Sequence, residues 1–181
     1  LEARAEASPV WNHTFTYSFN IAAPAPEGSY FDQPGYTVND TWKAFLDECG
    51  TQTNMKVGVL ASDETDGRGW YATLPPMLQE WGYDVVGIDK NLGLFPEDTT
   101  DFSSIISEWQ ENDVEMILGN CPGPLFGALW RQARSMGFAP KIVVVGRAAL
   151  YYNDVSAWGR DLPLGVGTEV WWDPSWEGLP G

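Results

Sequence analysis

Four short apolar runs, separated by segments with helical periodicity, constrain the fold of this chain more than any other feature. Each run has five to seven residues and does not alternate between apolar and polar side chains; they occupy residues 55–61, 83–88, 114–118 and 141–146. Such runs are typical of strands that helices cover on both faces of a parallel sheet. The sequence therefore predicts an α/β fold, a three-layer sandwich with a mainly parallel sheet, whose strand-end loops share the edge where ligands bind.

Helices are predicted before and between these runs, because apolar residues recur there every three or four positions. They cover residues 38–49, 69–81, 101–110 and 124–136, and one more strand is predicted over residues 164–172. Pro75 and Pro76 lie inside the second helix, where proline costs about 3 kcal/mol, so we expect a kink or a late helix start. Seven side chains of the runs should be buried: Val57, Val59, Val86, Ile117, Leu118, Val143 and Val144.

Residues 1–36 differ from the remainder of the chain. Aromatic and polar residues alternate over residues 11–19, as in a half-exposed strand, and proline and glycine interrupt the pattern over residues 22–35. The sequence thus predicts an N-terminal strand and connector over residues 1–36 and an α/β lobe over residues 37–170. We expect neither a signal peptide nor a membrane-spanning run of about 20 apolar residues.

The charge of the chain limits its partners. Asp and Glu number 25 and Lys and Arg number 10, which gives a formal net charge of −15 over 181 residues. Nucleic acids and anionic membranes need basic residues that neutralise phosphate, so neither is an expected partner. The two cysteines, Cys49 and Cys121, are expected at opposite edges of the sheet, and we therefore predict that no disulfide joins them.

Few residues are available for catalysis or metal binding. The single histidine, His13, lies in the N-terminal strand, far in sequence from any serine or cysteine on a sharp turn, so a Ser-His-Asp or Cys-His system is not expected. The sequence has no zinc or P-loop motif. Its acidic segment over residues 63–66 lacks the spacing of a calcium loop and is better explained by helix capping. We therefore expect no catalytic residues, no metal and no cofactor.

One motif favours a nucleotide-dependent enzyme as an alternative. Gly67, Gly69 and Ala72 fit the glycine pattern of a dinucleotide-binding loop, and Asp89 ends the next apolar run. However, residues 62–66 separate these glycines from the preceding strand, and three of them are acidic. Because carboxylates so close to the glycines would repel a pyrophosphate, we expect no nucleotide to bind there.

Arg147 directly follows the fourth run, where its side chain is expected at the sheet edge. Its guanidinium would pair either with an anionic group of a ligand or with one of the 25 acidic side chains in a surface ion pair, and the sequence leaves both open. The tandem tryptophans Trp171 and Trp172 either stack on a ligand or pack; we expect one of the two to pack and leave the role of the other open.

Several short segments form a recurring succession: residues 57–60 (VGVL), 66–69 (DGRG), 81–85 (WGYDV), 98–103 (DTTDFS), 112–117 (NDVEMI) and 131–137 (RQARSMG). This succession, over roughly residues 15–172, resembles the type I periplasmic binding proteins of the leucine/isoleucine/valine-binding kind, the extracellular receptors of ABC importers. The resemblance implies one lobe of a two-lobe protein that clamps a ligand between its lobes. The first lobe is then missing from this chain, and residues 171–181 form a segment that crosses back toward it.

The resemblance also implies which residues face a solute. They are Asp66 after the first strand, Asn120 and Cys121 at the end of the third, and Arg147 and Ala148 at the end of the fourth; Trp172 is added as the aromatic residue that would stack on the solute. Amino-acid binders often carry a carboxylate where Arg147 stands. The arginine weakens the case for an ordinary α-amino acid and leaves an acid, an amide or another small polar or aromatic molecule.

The implied function is a solute-binding receptor component of an ABC-type importer that holds a small polar or aromatic molecule, such as an amino acid or organic acid, between two lobes. The implied partner is a membrane permease, and the implied location is periplasmic or extracellular, including a membrane-tethered lipoprotein. A ligand-sensing domain of a receptor or regulator is an alternative that the resemblance does not separate from a transport receptor.

Overall fold

The structure is a computed structural model that describes residues 38–169, with side chains from residue 42 onward. The helices are α1 (Val38–Glu48), α2 (Thr65–Glu80), α3 (Ser103–Glu111), α4 (Gly123–Ser135) and α5 (Tyr152–Ala157), with a 3-10 turn at Gly50–Gln52. The strands are β1 (Lys56–Ser62), β2 (Asp84–Val86), β3 (Leu94–Phe95), β4 (Met116–Asn120), β5 (Ile142–Gly146) and β6 (Val166–Gly167).

All strand pairs in this part of the chain are parallel, as the apolar runs predict. The sheet order is β2-β1-β4-β5-β6, and β3 pairs with the last residues of β1. The long central pairings put Ala61 of β1 opposite Asn120 of β4, and Asn120 opposite Gly146 of β5. The carboxyl ends of β1, β4 and β5 therefore lie side by side at one edge of the sheet.

Hydrophobic cores cover both faces of the sheet. Successive residues of one strand enter different cores: Ile117 packs with the core on the side of α3 and α4, and Leu118 with the core on the side of α1 and α2. The seven strand residues that were predicted to be buried are each at most 9% exposed. Burial of consecutive residues requires helices on both faces, so the three-layer α/β prediction is confirmed.

Helix α2 begins earlier than the sequence predicts. The carboxylate of Glu64 accepts hydrogen bonds from the backbone N–H groups of Asp66 and Gly67, and this cap starts the helix at Thr65 rather than Gly69. The helix also continues across Pro75 and Pro76 to Glu80. Of the two predicted alternatives, the late start is therefore wrong, because the capping carboxylate fixes where the helix begins, and the kink stays a prediction.

Four elements depart from the predicted pattern. Strand β3 and helix α5 were not predicted, and both are short. Strand β2 ends at Val86, because Gly87 turns the chain with φ 82°. In the described residues, the last strand is only Val166–Gly167 rather than residues 164–172. The predicted N-terminal strand and connector over residues 1–36, and the crossing segment over residues 171–181, lie outside the described residues.

Two further expectations concern disulfides and membranes. Cys49 and Cys121 are both buried, and no disulfide joins them, as predicted. No helix within residues 38–169 combines the length and the apolar character that a membrane span needs.

Candidate functional site

Five polar side chains meet at the carboxyl edge of the sheet. Ser62 ends β1, Glu64 and Asp66 stand at the start of α2, Asn120 ends β4 and Arg147 follows β5. The guanidinium of Arg147 connects them: its Nε donates to Asn120 Oδ1 at 2.6 Å, and its Nη2 donates to Glu64 Oε1 at 2.6 Å and to Ser62 Oγ at 3.1 Å. We call these five residues the Arg147 network. The structure thus brings Asp66, Asn120 and Arg147 together, as the order of parallel strands predicts.

Arg147 has a left-handed backbone conformation, with φ 64°. This conformation is uncommon for a residue with a side chain and costs about 1–2 kcal/mol. The hydrogen bonds of the guanidinium to three neighbours compensate for this cost. Met55, Asn91 and Asp113 have the same conformation elsewhere in the described residues, so the side-chain hydrogen bonds, and not the backbone conformation alone, distinguish Arg147.

Glu64 is the main counter-ion of Arg147. Its Oε1 accepts hydrogen bonds from the Ser62 hydroxyl, the Gly67 N–H and Arg147, and its Oε2 accepts one from the Asp66 N–H. Partial burial by itself would raise the pKa of Glu64, but these four hydrogen bonds outweigh that effect and lower the pKa to about 2. Glu64 is therefore ionised at neutral pH. Of the two interpretations left open for Arg147, the ion pair is the one that the structure contains.

Asn120 links Arg147 to Asp66. It is only 2% exposed, and its amide donates from Nδ2 to Asp66 Oδ2 at 2.9 Å while its Oδ1 accepts from Arg147. Asp66 Oδ2 also lies 3.5 Å from Arg147 Nε. The side chain of Asp66 remains 41% exposed and that of Arg147 31%. These two side chains are thus the parts of the network that a solute can reach.

A third carboxylate, that of Glu169, lies beside the network, which already contains those of Glu64 and Asp66. The Thr168 hydroxyl donates to the Val145 carbonyl at 2.9 Å, which holds the segment after β6 against β5. A Cβ at Gly146 would lie 2.7 Å from Glu169 Oε1, so the glycine is what lets this carboxylate approach the end of β5. Burial and the nearby charge of Asp66 raise the pKa of Glu169 to about 7, and Arg147 opposes this shift.

The sequence prediction of the site missed Glu64 and Glu169. Glu64 was recognised only as part of an acidic segment, and Glu169 fell inside the predicted last strand. The signal that would have found Glu169 is its place at the carboxyl end of a strand parallel to β5, since such positions share the ligand-binding edge.

Cys121 and Ala148, which were predicted to face the solute, are buried instead. Cys121 is 1% exposed and Ala148 is fully buried. Burial raises the pKa of the Cys121 thiol to about 12. Trp172 lies outside the described residues. Within the described part of the chain, no group of three or more His, Cys, Asp or Glu side chains is arranged to hold a metal ion.

A side chain of the protein itself already binds N–H groups of the glycine motif at the start of α2. In a dinucleotide-binding loop, the free N–H groups at the helix N-terminus hold the pyrophosphate. Here the carboxylate of Glu64 already accepts hydrogen bonds from two of these groups. A Cβ at Gly67 would lie 1.9 Å from the Ser62 carbonyl oxygen, so this glycine serves the close packing of α2 on β1.

Comparisons with known proteins agree with this architecture. Residues 5–177 match the model of a family described as periplasmic binding protein. No curated protein matches the sequence. Among solved structures, the chain is similar to the leucine-binding protein LivK from Thermotoga maritima, with a TM-score of 0.61 and 20% identity over 74% of this chain and 36% of that protein. The likeness to LivK concerns the fold, and this chain spans about a third of its length. From the match over residues 5–177, this chain belongs to the periplasmic binding protein family.

Proposed function

We propose that this chain is one lobe of a solute-binding receptor of an ABC-type importer. It would hold a small polar or aromatic molecule between its carboxyl edge and a second lobe, deliver it to a membrane permease and act outside the cytoplasm. Membership of the periplasmic binding protein family supports the solute-binding role. The similarity to a leucine-binding protein, of which the chain covers 36%, supports a complete site shared with a second lobe.

The Arg147 network is the observation that carries this proposal. It gathers polar groups from the ends of three parallel strands, and it holds an arginine in a left-handed conformation with its side chain 31% exposed. The buried side chain of Asn120 holds the charged side chains of Asp66 and Arg147 in fixed positions. Charged residues that serve only to keep a surface solvated do not need such a connection. Fixed polar groups beside an apolar core are what a small-molecule site needs, because they orient a solute without reorganising.

Calorimetric titration tests the proposal. The polypeptide that carries this chain, at its full natural length, is titrated with amino acids, organic acids, amides and amines. We expect at least one of these solutes to bind, and Asn120→Ala to weaken its binding by about 10-fold, because the substitution removes hydrogen bonds that hold Asp66 and Arg147 in place. The matched control is Asn112→Ala, at the end of α3 and the opposite sheet edge. Equal affinities for wild type and Asn120→Ala would contradict the proposal.

A further inference from the structure

We propose that this edge selects a solute with a positively charged group, an ammonium or a guanidinium, which lies between the carboxylates of Asp66 and Glu169. This inference rests on the proposed function, because it names the class of solute for that same site. It makes Asp66 and Glu169, and not Arg147, the residues that determine specificity.

Three of the five N–H donors of Arg147 already form hydrogen bonds within the protein, and only the two on Nη1 have no partner among the described residues. Its Nε and Nη2 donate to Asn120, Glu64 and Ser62, and Glu64 supplies a full negative charge close to the guanidinium. An anionic solute would have to share the guanidinium with this carboxylate at 2.6 Å. It would therefore gain little from Arg147 and would be repelled by Glu64.

The carboxylates of Asp66 and Glu169 remain available to a solute when Arg147 and Glu64 form their ion pair. Asp66 accepts from Asn120 through Oδ2 and is 41% exposed, so it can accept further hydrogen bonds from a solute. Glu169 forms no ion pair with any described residue, and among these residues Arg147 is the only cation within ion-pair distance of Asp66. Arg147 therefore faces the carboxylates of Glu64, Asp66 and Glu169, so an anionic solute would add to an excess of negative charge, whereas a cation would reduce it.

The positions of Asp66 and Glu169 distinguish these two carboxylates from the other acidic side chains on the surface. Asp66 and Glu169 both interact electrostatically with Arg147, at the carboxyl edge where the proposed function places the solute. Glu169 is also brought against the end of β5 by the absence of a side chain at Gly146. The two acids come from α2 and from the segment after β6, so they approach the edge from separate elements.

The affinity for a cation should depend on pH through Glu169. Within residues 38–169, the charged groups that act on its carboxylate are Asp66 on α2 and Arg147 after β5, and burial together with Asp66 raises its pKa to about 7. A bound cation favours the ionised form, so binding releases a proton near neutral pH. Since the ionised fraction rises through pH 7, the affinity should be about 10-fold higher at pH 8 than at pH 6.

The test uses two sets of small probes, and within each set the end group or side-chain end group is cationic, neutral or anionic. The natural-length polypeptide is titrated with 1,4-diaminobutane, succinamide and succinate, and with L-lysine, L-glutamine and L-glutamate, at pH 6 and pH 8. At pH 7, two buffers with different heats of ionisation report the protons released. We expect 1,4-diaminobutane or L-lysine to bind most tightly of its set, about 10-fold better at pH 8 than at pH 6, with proton release on binding.

Variants separate Glu169 from the general charge of the protein. Glu169→Gln should weaken binding of the cationic probe by about 10-fold at pH 8 and remove the difference between pH 6 and pH 8. Glu111→Gln changes the net charge equally, but it lies at the end of α3, at the opposite edge of the sheet, and should leave binding unchanged.

The results distinguish a failure of the inference about a cationic solute from a failure of the proposed solute-binding function. Tightest binding of succinate or L-glutamate, or a cation affinity that is equal at pH 6 and pH 8, would overturn the inference and leave the solute-binding function standing. Binding of none of the six probes would overturn the inference, and a lack of binding across the wider panel would count against the proposed function. The pH dependence of the wild type provides a test that does not require Glu169→Gln to fold.

Discussion

Glu64 offers the sharpest test of how the Arg147 network contributes to stability. Its pKa falls from an ordinary value of 4.5 to about 2, which corresponds to about 3 kcal/mol of stability at neutral pH. Solvent reaches 29% of the side chain, and screening reduces this figure to about 2 kcal/mol. Glu64→Gln keeps the size and a neutral acceptor for the helix cap but removes the charge beside Arg147. We therefore expect the variant to lose about 2 kcal/mol at pH 7.

The pH dependence distinguishes this charge effect from a simple packing defect. A carboxylate with a lowered pKa contributes stability that is fully present above pH 4.5 and is lost as the pH falls toward 2. The free energies of unfolding of wild type and Glu64→Gln, measured by urea denaturation, should therefore differ by about 2 kcal/mol at pH 7 and by about half of that at pH 3. A difference that is absent at pH 7, or that stays constant between pH 7 and pH 3, would refute this account of Glu64.

Three further predictions concern the body of the fold. Gly119→Ala places a Cβ 1.8 Å from the Leu60 carbonyl oxygen, so we expect a loss of at least about 2 kcal/mol in thermal denaturation, and a wild-type melting temperature would contradict the parallel register of β1 and β4. Tyr83→Phe removes a buried hydrogen bond to the Leu46 carbonyl and should cost about 1 kcal/mol in urea denaturation; no change would mean that the bond is not formed. The Cys121 thiol should resist iodoacetamide at pH 8 until urea unfolds the chain, because it is buried with a pKa near 12; rapid labelling of the native protein, detected by mass spectrometry, would contradict this.

The fold is predictable from the sequence where a single physical rule decides it. Buried runs that do not alternate require cover on both faces, and this rule places Ile117 and Leu118 in opposite cores. A second rule predicts that Asp66, Asn120 and Arg147 lie close together, because the carboxyl ends of parallel strands share one edge of the sheet. The start of α2 does not follow, because it depends on which of several neighbouring acids folds back to cap the helix.

The details of the site depend on geometry that the sequence does not encode locally. Any of the 25 acidic residues is a candidate partner for Arg147, and only the folded loop after β1 selects Glu64. The position of Glu169 depends on the pairing of the two-residue strand β6 with β5, which places Val166 opposite Val143. A strand this short has no hydrophobic pattern from which its register can be predicted.

The proposal that a solute binds at the carboxyl edge is tested most directly by a crystal structure of the natural-length polypeptide with the solute identified by calorimetry. We expect the solute to lie at the carboxyl edge of this lobe, in contact with Asp66 and within reach of Glu169, while the ion pair between Arg147 and Glu64 stays intact. A solute bound at the opposite edge of the sheet, or at the glycines that begin α2, would contradict it.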